Sequence, residues 1–135
     1  MMSDRVPAHA EIVIVGGGIA GVSATESARQ TLPHAEITLI AGEPDFPYSR
    51  LNLTRRLAGE IDDQALVMHP QGWYDEHNIF LITGARVESI ERDQHRITAE
   101  DGRIFAYDKL ILACGSHPFI PPFPGADLDG VTAVR

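Results

Sequence analysis

Three consecutive glycines, Gly16-Gly17-Gly18, stand between a β-branched run and a helical stretch, and Gly21 follows. Nothing else in the chain constrains the fold as strongly. Glu11-Ile12-Val13-Ile14-Val15 shows no polar alternation, so it predicts a strand buried on both faces of a parallel sheet. From Ile19 to about Leu32 the residues are helix-compatible, and Ala20, Ala24 and Ala28 recur as one small-residue face. Pro33 ends that helix, and Glu36 to Ile40 is a second β-branched run. Strand, glycine turn, helix and strand make one βαβ unit, whose crossover is right-handed.

Gly16-x-Gly18-x-x-Gly21 therefore sits where a dinucleotide-binding loop sits. Each glycine has a physical task. Gly16 allows the tight turn, Gly18 lets backbone approach a pyrophosphate, and Gly21 lets helix and strand pack closely. The unpaired N–H groups and the positive dipole end of the helix then hold the anion. An ordinary glycine-rich βα turn is the alternative for the same residues. Glu43 lies just past the second strand, 22 residues beyond Gly21. A carboxylate there accepts hydrogen bonds from both hydroxyls of an adenosine ribose and repels a 2′-phosphate, which favours FAD or NAD over NADP at this site.

The remainder reads as short elements. Gly42 to Tyr48 is a proline-punctuated loop, and Leu51 to Ala58 and Gly72 to His77 are short helices. Ile79 to Ile82 is a strand, followed by alternating runs at Val87 to Arg92, Arg96 to Ala99 and Arg103 to Tyr107. Asp101-Gly102 marks a hairpin between the last two. Lys109 to Ala113 is a further, fully apolar strand, stopped by Gly115, and Pro118, Pro121, Pro122 and Pro124 forbid regular structure beyond it. The expected fold is α/β: a Rossmann-like parallel sheet with helices, plus a small antiparallel hairpin or meander insertion.

Composition excludes several function classes. Eleven basic residues against 19 acidic ones give a net charge of −8, the wrong sign for a nucleic-acid or anionic-membrane surface. The first ten residues lack the apolar centre of a signal peptide, and no apolar run is long enough to span a bilayer. The expectation is a cytoplasmic protein. Cys114 is the single cysteine, so an internal disulfide or a CxxC pair is impossible. The six histidines show no HxH or HExxH spacing and read as surface or loop residues, with no metal site. Trp73 and Tyr74 read as core-filling aromatics, and the acidic run Glu60, Asp62, Asp63 as a solvated loop.

Three later segments carry a family resemblance. Pro47-Tyr48-Ser49-Arg50-Leu51-Asn52-Leu53-Thr54 resembles the PYxRxxLS segment of FAD-dependent pyridine-nucleotide oxidoreductases. Tyr107 to Ser116 resembles their YDxLxxATGS strand, and Ile120 to Gly125 their PPIPG turn. The chain is most similar to the members without a redox disulfide: rubredoxin and ferredoxin reductases, and the flavin-bearing end of nitrite reductase large subunits. Gly72 to His77 also looks like that group.

The resemblance implies FAD as cofactor and names its contacts. Gly16, Gly18 and Gly21, with Ile19 and Ala20 between them, wrap the pyrophosphate. Glu43 takes the ribose, Arg50 lies near pyrophosphate and flavin, and Val87 meets the adenine through its backbone. Arg55 occupies the place of a lysine that approaches the isoalloxazine. Ala113, Cys114 and Gly115 bring a second backbone turn to the cofactor, with Cys114 a small buried stand-in for threonine. The resemblance implies no catalytic side chain, since the flavin carries the chemistry.

It also implies a discontinuous domain. Residues 1–135 correspond to the first segment of an FAD-binding domain, with the NAD(P)H domain and C-terminal segment absent. The expected function is the FAD-binding portion of an NAD(P)H-dependent oxidoreductase, passing electrons from NAD(P)H to an acceptor protein or domain. By itself the chain is expected to be inactive. The alternatives are a stand-alone NAD-binding Rossmann domain and a non-catalytic FAD-binding subunit.

Overall fold

The computed structural model describes residues 7–133. The glycine loop does join a strand to a helix: β1 (His9–Val15) runs into α1 (Ile19–Thr31), and β2 (Ile37–Ile40) returns beside β1. Two short helices, α2 (Leu53–Leu57) and α3 (Gln71–Glu76), precede β3 (Ile79–Ile82). β4 (Val87–Glu91), β5 (Arg96–Ala99) and β6 (Ile104–Leu112) complete one six-stranded sheet of order β3-β2-β1-β6-β5-β4. β3, β2, β1 and β6 are parallel, whereas β5 and β4 add on antiparallel.

Burial on two faces explains the missing alternation in β1. Ile12 and Ile14 point to one side, where they pack with Val22 of α1, Ile37, Leu39, Tyr74 and Ile79. Val13 and Val15 point to the other, among Ile40, Ile82, Ile97, Phe105 and Tyr107. Each such side chain stabilises the fold by about 1.5–3 kcal/mol. The buried face of α1 is Gly21, Val22 and Thr25, and the Thr25 hydroxyl donates to the Gly21 carbonyl at 2.8 Å. Ala24 and Ala28 flank this face, whereas Ala20 is exposed. The expected alanine face is therefore rotated by about one residue: the helix packs through its smallest residue, Gly21.

Two further expectations change. The runs at Arg103–Tyr107 and Lys109–Ala113 form one strand, β6, because Asp108 sits at a solvent-facing position. Its carboxylate meets His9 Nε2 at 3.1 Å, so it interrupts no ladder. The meander is accordingly continuous with the parallel sheet, and β6 belongs to both. The second change concerns cover. Along β6, β5 pairs with Ile104–Ala106, and the apolar end of β6 is largely exposed. The hairpin at Asp101-Gly102 forms as expected, with Gly102 at φ +84° and the Asp101 carboxylate accepting the Arg103 N–H at 3.0 Å.

Candidate cofactor site

The chain leaves β1 toward β2 and β3 on one side and reaches β6 on the other, so the strand order reverses at β1. In open α/β sheets a ligand crevice forms at that switch point, outside the carboxyl ends of the strands. Here Gly16 N donates to Ile40 O, Ala41 N to Ile82 O and Ala113 N to Val15 O, at 2.7–2.8 Å. These bonds align the ends of β1, β2, β3 and β6 as the floor of a cleft of about 460 Å³.

The glycines do separate work. Gly16 has φ +123°, and a Cβ there would lie 2.0 Å from the Ala113 carbonyl oxygen. A Cβ on Gly21 would lie 1.8 Å from Gly16 O. Both positions are closed by the fold itself. Gly18 differs: a Cβ there meets nothing within 4 Å, and its backbone is ordinary, at φ −80°. Gly18 is the N-cap of α1 and has no side chain of its own to cap that end. The first N–H groups of a helix have no intrahelical partner, so this end presents donors and positive potential to the cleft.

Of the residues expected from sequence, Gly16, Gly18, Glu43, Arg50, Val87, Ala113, Cys114 and Gly115 line the cleft together. Ile19 and Ala20 stand at the exposed start of α1 beside it, and Gly21 supports the loop from behind. Arg55 is not among the lining residues; it is exposed and pairs with Glu60 at 3.1 Å. Cys114 is exposed rather than buried. β6 ends at Leu112, so residue 114 belongs to the lip of the cleft, with Sγ 3.8 Å from Val15 O.

Sequence reasoning missed Tyr48. Its hydroxyl donates to Glu43 Oε2 at 2.9 Å and accepts from Arg50 Nη1 at 3.1 Å. Arg50 Nη2 completes the triangle on Glu43 Oε1, and the guanidinium lies 5.1 Å from the Tyr48 ring centroid. Burial pushes the Tyr48 phenol above its ordinary pKa, and the hydrogen bond to Glu43 adds to that. The same carboxylate raises Arg50 further. The cleft thus holds an organised carboxylate and the N-terminal end of α1 in one space. Among the described residues no group of three or more His, Cys, Asp or Glu side chains is placed to hold a metal ion. No helix among them is long and apolar enough to cross a membrane.

Fold and site together define a dinucleotide-binding α/β protein of the switch-point type. The chain belongs to the pyridine nucleotide-disulphide oxidoreductase family, whose model matches residues 10–135. It is 40% identical over 126 residues to the NAD(P)H nitrite reductase of Bacillus subtilis, covering 93% of this chain and 16% of that protein. It is 39% identical over 125 residues to rhodocoxin reductase of Rhodococcus erythropolis, covering 92% of this chain and 29% of that one. The NADH:rubredoxin oxidoreductase structure from Clostridium acetobutylicum superposes with a TM-score of 0.78 at 32% identity, over 88% of this chain and 31% of that chain. The chain therefore spans less than a third of each of these relatives. The family and these reductases are FAD-binding flavoproteins.

Proposed function

We propose that this chain is the first segment of the FAD-binding domain of an NAD(P)H-dependent flavoprotein oxidoreductase. The observation that carries the reading is the open space in front of Gly18. It faces the start of α1 and lies in one cleft with Glu43 and the turn at residues 113–115. Gly16 and Gly18, with the N–H groups at the start of α1, hold the pyrophosphate. Glu43 accepts the ribose hydroxyls. Arg50 supplies positive charge beside the phosphates, and the backbone at Val87 borders the adenine. Ala113 and Gly115 form the opposite wall. When bound, FAD supplies the redox chemistry, taking electrons from NAD(P)H and passing them on.

The donor and acceptor sites belong to parts of the enzyme outside this segment. The range of acceptors is that of the relatives: nitrite, or a small electron-transfer protein. A cytoplasmic setting fits a nicotinamide donor. Two measurements test the proposal. Ligand released by heat from the purified, FAD-reconstituted chain is expected to be FAD in stoichiometric amount, and NAD retained instead of FAD would refute it. Anaerobic mixing with NADH is expected to bleach the flavin slowly and without saturation. Hydride transfer needs the nicotinamide held at near-contact distance by its own site. Fast, saturable bleaching would refute the assignment to one segment of a larger domain.

A further inference from the structure

Tyr48 has a place in this cleft that its exposure alone does not explain. Its backbone is held from both sides. Tyr48 forms an isolated antiparallel bridge with Val67; Ser49 N donates to Leu66 O at 2.8 Å and Met68 N to Pro47 O at 3.0 Å. Pro47 is buried and borders the glycine loop, 3.7 Å from where a Cβ on Gly17 would stand. The phenol therefore projects from a fixed frame. Its hydroxyl is used twice, donating to Glu43 Oε2 and accepting from Arg50. Glu43, by contrast, sits on the Gly42–Tyr48 loop, and its carboxylate has two side-chain torsions above χ1 to be set by its neighbours.

We propose that Tyr48 is a positioning residue: its hydroxyl locks the Glu43 carboxylate in the orientation that accepts the ribose 2′-hydroxyl of the bound dinucleotide. The inference rests on the assignment of Glu43 to the ribose and adds the residue that makes that assignment work. Arg50 is tied to the other carboxylate oxygen, Oε1, and to the Tyr48 hydroxyl, so loss of the phenol oxygen frees Oε2 and leaves Glu43 held by Arg50 at Oε1. A hydrogen bond to a charged partner that also fixes its geometry is worth roughly a factor of ten or more in affinity.

The test uses the full chain and two probes, ADP and 2′-deoxy-ADP, each titrated calorimetrically against wild type, Tyr48→Phe and Glu43→Gln. Wild type is expected to prefer ADP by about tenfold. Tyr48→Phe is expected to shrink that preference toward one while leaving 2′-deoxy-ADP binding nearly unchanged. A merely structural role would weaken both probes alike and leave the ratio intact, and that result overturns the proposal. Because the ratio is measured within one protein, partial loss of folding does not disguise it. If Glu43→Gln lowers the ratio and Tyr48→Phe does not, the positioning role falls and the ribose assignment stands. If wild type shows no preference, or binds neither probe, the ribose assignment itself falls, and the Tyr48 proposal with it.

Discussion

β1 and β6 lie side by side in parallel register, Val13 opposite Leu110 and Val15 opposite Leu112, and both carry unbroken apolar runs. Their fates differ. Ile14 is 0% exposed, whereas Ile111 is 38% and Leu112 57% exposed. The difference is not one of residue type. β1 is covered on one face by α1 and on the other by the meander and β3 ends. The last turns of β6 have β1 on one edge and little above or below. An apolar run states that a strand can be buried, and only its neighbours decide whether it is. The same contrast holds across the cleft: Gly16 and Gly21 are closed in by the fold, and residues 114–117 are exposed.

The largest effect is expected at the contact between the ends of the two strands. Gly16→Ala places a methyl 2.0 Å from the Ala113 carbonyl at a φ of +123°. It is expected to cost about 4 kcal/mol or more, or to prevent folding, as read by urea unfolding. A wild-type midpoint would mean the two turns do not abut.

A paired truncation comes next. Ile14→Ala is expected to lose about 3–4 kcal/mol, in the range of buried large-to-small changes. Leu112→Ala, a comparable truncation on the adjacent strand but at an exposed position, is expected to lose under about 0.5 kcal/mol. Equal losses would show that the end of β6 is as covered as β1.

Cys114 reports on the exposed wall. Its thiol is expected to react with an aromatic disulfide reagent in the folded chain, and to be protected when FAD is present. Failure to react without denaturant would return Cys114 to the core. Cys114→Thr is expected to change stability by less than about 0.5 kcal/mol.

The smallest effect is spectroscopic. Tyr74, wholly buried against the β1–β2 face, has its pKa pushed up to about 12, first by burial and then by the Glu26 charge. The unfolded value is near 10, so its stabilising contribution is intact below pH 10 and is lost as pH rises through about 12. Phenolate absorbance of the folded chain should show Tyr74 titrating late; ionisation near pH 10 without unfolding would place it in water.

Much of this was legible in sequence, for identifiable reasons. The βαβ unit is local and is written in three signals at once: β-branched runs, helix-compatible spacing and the glycines at the turn. The tight turn at Gly16 and the close packing at Gly21 follow from their spacing alone. What escaped depends on contacts between distant loops. The bridge that fixes Tyr48 comes from Val67, in a segment with no periodic pattern. His69 and His77 each stack on Trp73, and His69 meets Glu26 of α1, which likewise joins stretches without a shared motif. The continuity of β6 through Asp108 and the exposure of Cys114 depend on which strands end where. Arg55 was placed by its position in a motif, whereas its side chain is set by a neighbour, Glu60, five residues on.

The cleft at the glycine loop is expected to hold the dinucleotide through Gly18, and one pair of titrations tests this. Wild type and Gly18→Val are titrated with FAD by flavin fluorescence, and far-UV circular dichroism is recorded on the same samples. The position has open space and ordinary backbone, so the variant is expected to keep its fold, at a cost of about 1 kcal/mol for a poor N-cap. The valine side chain fills the approach to the helix donors, so FAD binding is expected to fall by at least about tenfold. A folded Gly18→Val that binds FAD with wild-type affinity would reduce the glycine loop to a turn and contradict the account.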